Sequence, residues 1–385
     1  MSAPTNRKLL ALAAAAGILF SACSSSAATQ APAASTAASP SAAASVAATT
    51  APTVAPTTAA SASASAAASG FACTAPAGFA PVWYASAAHP YFDTVKPGVE
   101  AAGKEFGFTP VEQIGPDWTQ DSENQGMQAL FAKGSRYFSV YPSDANGANA
   151  LYQELTAKGA TIVNFGGSTA EPTPAKLVFA TDVKAAASQA TEALIKTMGG
   201  KGNIINVLEV LEDPNTVLRK AGIEEVVAKY PDVKIIQEIS GMKSAEEAVQ
   251  KVTDAIAANS TKVDGIIATG FTPSVAIAQV LTDYKAKGGT RTIHAVGIDT
   301  DPIVIKAIQD GVMDGTISQN PFGHGYLSML SLVCMADGYT VKTGVYRVDT
   351  GTAFVTKDNL TTYADDIAKV TAKIKDSLLT EVLTK

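Results

Sequence analysis

From about residue 71 onward the chain alternates between two apolar periods. Short apolar, β-branched or aromatic runs at residues 81–86, 109–114, 137–141, 161–165 and 177–180 read as strands. Further runs follow at 204–208, 234–239, 265–269, 293–298 and 315–318. Between nearly all of them lie stretches whose apolar residues recur every three or four positions, as in Val95, Val99, Ala102 and Phe106. Ile223, Val226, Val227 and Tyr230 repeat that spacing, as do Val249, Val252 and Ile256. His89-Pro90, Thr272-Pro273 and Asp301-Pro302 each place Pro at a first helical position, and Ser244 with Glu247 reads as a capping box. Strands alternating with helices predict an α/β fold of parallel βαβ units, with helices on both faces of each sheet.

Composition divides the chain before that pattern begins. Arg7 and Lys8 lead into an apolar run over 9–20, then Phe20-Ser21-Ala22-Cys23. The run is too short to span a bilayer comfortably and has the length of a secretory signal's apolar core. Phe20-Ser21-Ala22-Cys23 resembles the lipobox of bacterial lipoproteins, with Phe where Leu is usual. That resemblance implies cleavage after residue 22 and a lipid on Cys23; the alternative is an ordinary signal with an incidental cysteine. Residues 24–70 are almost wholly Ala, Ser, Thr and Pro, with Pro32, Pro40, Pro52 and Pro56 among them. Such a tract cannot offset the entropy of ordering its backbone. At that length it reaches ~40 Å as a flexible chain, which suits a tether. The expected organisation is therefore a signal peptide over 1–22 and an anchor with its tether over 23–70.

The remaining stretch of about 315 residues exceeds what one core usually holds, so two lobes are expected. The net charge of -6 is mild and no basic stripe marks a nucleic-acid surface. With Cys23 lipidated, Cys73 and Cys334 remain. In an exported chain they suggest one disulfide, the alternative being two unpaired thiols.

No catalytic constellation appears, and no metal or cofactor is expected. His89, His294 and His324 lack metal-ligand spacing, and there is no Gly-x-Ser-x-Gly elbow. Gly166-Gly167-Ser168-Thr169 lacks the Lys and spacing of a phosphate loop and reads as a turn. Gly199-Gly200-Lys201-Gly202 precedes its strand and reads as a helix stop. In open parallel sheets, ligands bind beyond the carboxyl ends of the strands. At those ends stand His89, Tyr91, Phe92, Asp117, Trp118, Asp144, Phe165, Glu209, Phe271, Thr272, Asp299 and Gln319. Arg219 lies in the helix after Glu209. Taken singly, a Phe in such a place is more often loop packing and an Asp more often a helix cap. Together, aromatic faces beside carboxylate, amide and guanidinium groups suit a polyhydroxylated ring.

From residue 83 to about 357 the chain resembles the type 1 periplasmic sugar-binding proteins, the ribose-binding-like group that serves ABC transporters. The residues that carry this are His89-Pro90-Tyr91-Phe92, Tyr141-Pro142-Ser143-Asp144, Arg219-Lys220-Ala221-Gly222, Val296-Gly297-Ile298-Asp299 and Gln319-Asn320-Pro321-Phe322. The resemblance implies two Rossmann-like parallel-sheet lobes joined by a three-strand hinge, crossing near Thr181-Asp182, Gln319-Asn320 and Asp349-Thr350. The first lobe is then 71–181 plus 320–348, and the second 182–319 plus 349–385. It implies a ligand set of His89, Tyr91, Phe92, Trp118, Asp144, Phe165, Arg219, Phe271, Asp299 and Gln319. Phe165 and Gly166 stand where the ribose pattern has an Asp-Arg pair, and Phe271 or Thr272 where it has an Asn. Gly115-Pro116 before Trp118 is similar to the branch that binds other sugars and sugar-like signals. The site is thus more aromatic and less charged than a pentose site, which argues against ribose.

The same topology puts Cys73 and Cys334 in one lobe at the end away from the cleft, implying that they pair. The expected function is that of a lipid-anchored, extracytoplasmic solute-binding protein. It would act as a monomer without nucleic acid, passing a sugar or sugar-like ligand to an ABC permease. A sensory protein presenting ligand to a membrane receptor is the alternative. The export signal argues against a repressor of the same fold. Pentose, hexose, polyol, nucleoside-like compound and signalling furanose all stay open.

Overall fold

The computed structural model describes residues 71–242 and 244–385. The signal, Cys23 and the Ala/Ser/Thr/Pro tract lie outside the described residues.

One sheet is built from β1 (Val82–Ala85), β2 (Val111–Ile114), β3 (Tyr137–Val140), β4 (Thr161–Phe165) and β5 (Val178–Ala180). Its helices are α1 (Pro90–Phe106), α2 (Gln120–Ala132) and α3 (Ala148–Ala157). The chain then forms α4 (Val183–Thr197), β6 (Gly202–Val207), α5 (Pro214–Val227), β7 (Val233–Ile239), α6 (Ala245–Ala258) and β8 (Val263–Ala268). After these come α7 (Phe271–Ala286), β9 (His294–Ile298), α8 (Pro302–Gln309), β10 (Gly315–Ser318) and α9 (Pro321–Ala336). The last elements are β11 (Thr340–Val341), β12 (Arg347–Asp349), β13 (Ala353–Val355), α10 (Tyr363–Ser377) and β14 (Leu383–Thr384). The sheet orders are β12-β5-β4-β3-β1-β2 and β13-β10-β9-β8-β6-β7. The first is parallel throughout, and in the second only β13 runs antiparallel. Each order has a switch point, between β1 and β3 and between β6 and β8, where a doubly wound sheet opens a crevice.

Both faces of the inner strands are buried, which is why those strands read as continuous apolar runs, while the edge strands β2 and β7 keep exposed positions. In β1, Val82 and Tyr84 enter one core cluster while Trp83 and Ala85 enter the opposite one. In β6, Ile205 and Val207 face one way and Ile204 the other. The period of two thus serves two cores at once.

The chain passes between the sheets three times: at Thr181 and Asp182 between β5 and α4, at Gln319 and Asn320 between β10 and α9, and over 350–352 between β12 and β13. The apolar pattern of the sequence does not predict the two three-residue strands β12 and β13. They add a sixth strand to each sheet directly at the last crossing, but are too short to show a period. The helix α7 also begins earlier than Thr272-Pro273 suggests, with Gly270 as its N-cap.

The end of the chain corrects the expected division. Leu378, Val382 and Leu383 belong to the core cluster that holds Cys73, Trp83 and Cys334, and β14 pairs with β11. Residues 378–385 therefore complete the first lobe, drawn there by apolar burial that no local pattern announces. Cys73 and Cys334 form a disulfide with a Cα–Cα distance of 4.9 Å. At the opposite end of α9 from this bond, α1 and α9 pack closely: a Cβ on Gly98 would lie 2.1 Å from the Phe322 carbonyl oxygen, and one on Gly325 2.5 Å from that of Val95.

Candidate functional site

The carboxyl ends of both sheets face each other across a cleft, and helix N-termini deliver most of the side chains that line it. His89 caps α1, its Nδ1 accepting from the Tyr91 N–H, and Pro90 opens the helix. Asp213 caps α5 in the same way, accepting from the N–H groups of Asn215 and Thr216 ahead of Arg219 two turns on. Capping thus fixes where each helix begins, and with it which residues look into the gap.

Seven of the ten residues expected at the site border a cavity of about 30 Å³: His89, Tyr91, Trp118, Arg219, Phe271, Asp299 and Gln319. The other three do not. Phe165 is wholly buried and stacks on Trp83 with ring centroids 5.8 Å apart. Phe92 sits one layer behind, against Trp83, Trp118 and Tyr141. Asp144 shapes a turn instead, its Oδ1 accepting from the N–H groups of Asn146 at 2.9 Å and Gly147 at 2.6 Å. Conversely, Tyr141, Asp213, Asn215 and Gly270 border the cavity without having been expected there, and Glu209 joins them from its strand end. Asp213-Pro214 repeats the X-Pro helix start seen at His89 and Asp301, a signal present in the sequence.

The polar wall centres on Asp299. It adopts φ 67°, a left-handed conformation that Asp tolerates better than most residues, at the end of β9. Its backbone is held by Thr316 Oγ1, which donates to its carbonyl at 2.8 Å, and by its own N–H to the Ile317 carbonyl at 2.7 Å. Gln319 Nε2 donates to Asp299 Oδ1 at 2.7 Å. Burial raises the Asp299 carboxyl above its ordinary value, opposed by the Arg219 guanidinium and the Gln319 amide, although part of the residue still touches solvent. Arg219 is 5% exposed and spends Nη1 on the Thr269 carbonyl at 2.8 Å.

Two buried polar atoms at the cleft have no hydrogen-bond partner among the described residues: Gln319 Oε1, an acceptor, and Trp118 Nε1, a donor. An unpartnered buried polar group costs about 1–3 kcal/mol, so a ligand that satisfies both gains accordingly. The aromatic wall is continuous. His89 meets Trp118 and Phe271 edge-on at 5.7 and 5.8 Å, and Trp118 meets Tyr141 at 5.4 Å.

The lobes also touch each other directly. Tyr141 OH donates to Asp213 Oδ1 at 2.6 Å, and Asn215 Nδ2 donates to the Gly166 carbonyl at 2.8 Å. On the other side His89 Nε2 lies 3.6 Å from Glu209 Oε1 and 3.4 Å from Thr272 Oγ1. The enclosed volume is far below the roughly 300–1,000 Å³ of a ligand pocket. Admitting a solute therefore requires the lobes to part, and these contacts must break when they do. The arrangement can hold, orient and desolvate a small polar molecule.

Relatives fit this geometry. The family described as periplasmic binding protein domain matches residues 79–340. The xylitol-binding protein of Mycolicibacterium smegmatis is 27% identical over 260 residues, covering 66% of this chain and 69% of its own. The D-apiose import binding protein of Actinobacillus succinogenes is 27% identical over 158 residues, 41% of this chain and 48% of its own length. Among solved structures, a solute-binding protein of an ABC transporter from Burkholderia graminis, in complex with D-arabinose, superposes with a TM-score of 0.68. It is 22% identical and covers 74% of this chain and 98% of its own. Another from Agrobacterium vitis, bound with alpha-D-tagatopyranose, gives 0.67 at 19% identity over 76% and 98%. At these identities the structures establish the shared fold. With the family matched over most of the folded region and the cleft in the place that the fold provides, the chain belongs to the periplasmic binding proteins, a family of solute receptors rather than enzymes.

Proposed function

We propose that the protein captures a sugar or sugar-like polyol between its lobes and delivers it to the permease of an ABC transporter. The observation that carries this reading is the pairing, in one cleft, of an aromatic wall with Arg219, Asp299 and Gln319. Hydroxyls need both acceptors and donors, and C–H faces need flat apolar partners. The names of the relatives point the same way, toward xylitol, apiose and arabinose. In this reading His89, Tyr91, Trp118, Arg219, Phe271, Asp299 and Gln319 contact the ligand, while Phe92 backs the aromatic wall. Residues 1–22 are removed on export, Cys23 carries a lipid, and 24–70 tether a monomeric two-lobed module outside the membrane.

Mass spectrometry of material released from freshly purified, denatured protein would identify the cargo directly. A thermal-shift series with xylitol, D-arabinose and other pentoses, hexoses and polyols tests it independently, since a ligand that binds only the folded state raises Tm. No released sugar, and no rise in Tm with any of them, would sink the reading. For the anchor, Cys23→Ser should move the protein from the membrane to the soluble fraction.

A further inference from the structure

Thr350 is the point at which all three crossovers meet. Its N–H donates to the carbonyl of Ala180, at the start of the first crossover, at 3.1 Å. Its own carbonyl accepts from Nδ2 of Asn320, in the second, at 2.9 Å. Thr350 itself belongs to the third, and the neighbouring Gly351 carbonyl accepts from Thr181 Oγ1 at 3.2 Å. One group of Thr350 is left for another partner: Oγ1, which lies 2.8 Å from His324 Nε2. His324 Nδ1 in turn lies 2.7 Å from the hydroxyl of Tyr91, which borders the cleft. Thr350 and His324 have no exposed surface, and Tyr91 keeps only 7%. A continuous buried hydrogen-bonded chain therefore runs from the cleft wall to the hinge.

The imidazole in the middle gives this chain a direction. Desolvation, with a smaller contribution from Arg219, lowers the His324 pKa to about 3, so the ring is neutral and carries one N–H and one lone pair. Two arrangements satisfy both ends. In one, Tyr91 donates to Nδ1 while Nε2–H donates to Thr350, and the Tyr91 oxygen offers lone pairs to the cleft. In the other, Thr350 donates to Nε2 while Nδ1–H donates to Tyr91, and the phenol proton is free for a ligand acceptor. A carbon side chain in place of His324 would leave both hydroxyls without a buried partner.

We propose that His324 is a positioning residue that ties the ligand-facing hydroxyl of Tyr91 to the hinge at Thr350, coupling ligand contact to the setting of the crossovers. This rests on the reading of the cleft as the ligand site. It assigns a part in binding to a residue that does not itself border the cavity. The tie holds Tyr91 against Gly166, where a Cβ would come within 2.4 Å of the phenol oxygen, so the ring has little freedom to drift once the hinge is set.

The test compares wild type, His324→Leu, His324→Gln and Thr350→Val. Calorimetry is run with xylitol and with D-arabinose. Interlobe distances are measured by pulsed electron resonance between labels on Asn146→Cys and Glu212→Cys in a Cys23→Ser background, with and without those probes. His324→Leu and Thr350→Val should each weaken the bound probe at least tenfold and broaden the interlobe distance distribution. His324→Gln, whose amide can both donate and accept, should stay within threefold of wild type. A His324→Leu protein with lower Tm but wild-type affinity and distances would overturn the proposal, reducing His324 to core packing. If His324→Leu does not fold, Thr350→Val decides by the same criteria. If wild type binds neither probe, no further sugar releases from it and none shifts its Tm, the sugar reading is what fails. The ligand-free distances then decide the coupling, and identical distributions in wild type and variants overturn it.

Discussion

Glu123, in α2 just behind the cleft, is fully buried, and the Ser143 N–H donates to its Oε2 at 2.6 Å. Desolvation pushes its carboxyl up to about 7 from the ordinary 4.5, outweighing the hydrogen bonds from Ser143 and its neighbours. A group whose pKa is raised by folding holds its proton more tightly in the folded state. Its contribution to stability is complete below about pH 4.5 and is lost as pH rises through about 7. Every tenfold gain in proton affinity on folding is worth about 1.4 kcal/mol, so ionising Glu123 costs the folded state about 3 kcal/mol above that window. Glu123→Gln keeps an acceptor for the Ser143 N–H and removes the titration. Urea unfolding of wild type and variant at half-unit steps from pH 5 to pH 8 isolates the effect, because all other titrating groups cancel in the difference. The variant should gain about 2–3 kcal/mol relative to wild type across that range. A difference that stays flat with pH would refute the reasoning, showing that the carboxyl is ionised throughout or is solvated by a route the fold does not reveal.

Replacing Arg219 or Asp299 by Ala should weaken ligand binding by about 2–4 kcal/mol in calorimetry, because a buried partner loses a charge-assisted bond; unchanged affinity would remove either from the site. Gly98→Ala drives a methyl into the Phe322 carbonyl and should lower stability by about 1–3 kcal/mol in urea unfolding, with helical content retained. Replacing both Cys73 and Cys334 by Ala opens a loop with a sequence separation of 261 residues and should cost about 2–5 kcal/mol, read as a lower urea midpoint.

Strands β1 to β10 and their intervening helices were legible because most of these strands are buried on both faces, and apolar runs announce that locally. Strands β12 and β13 were not: Arg347-Val348-Asp349 and Ala353-Phe354-Val355 carry too few residues for a period to show. Docking of residues 378–385 on the first lobe depends on a partner surface far away in sequence, and nothing in Leu378 or Leu383 names it. At the site, X-Pro helix starts located His89 correctly. Phe165, the last residue of β4, turns into the core, and Asp144, in the loop after β3, turns back onto its own backbone. A strand's end can be read from sequence, but which way its last side chain points depends on register and on the turn that follows. Tyr141 and Asn215 escaped because their bonds form across the gap between lobes, a juxtaposition that no local pattern encodes, whereas Asp213 carried the X-Pro signal of a helix start.

The disulfide has a mechanical consequence. Phe71 enters the fold two residues before Cys73, and Leu383 ends it in the same core cluster, so both ends of the described chain belong to one lobe. A pull arriving through residue 71 is handed at Cys73 to the far end of α9, by a covalent bond, before it reaches β1. The load stays within the first lobe, and the second hangs from its three crossovers outside the line of force. Tension on the N-terminus would leave the cleft free to open and shut.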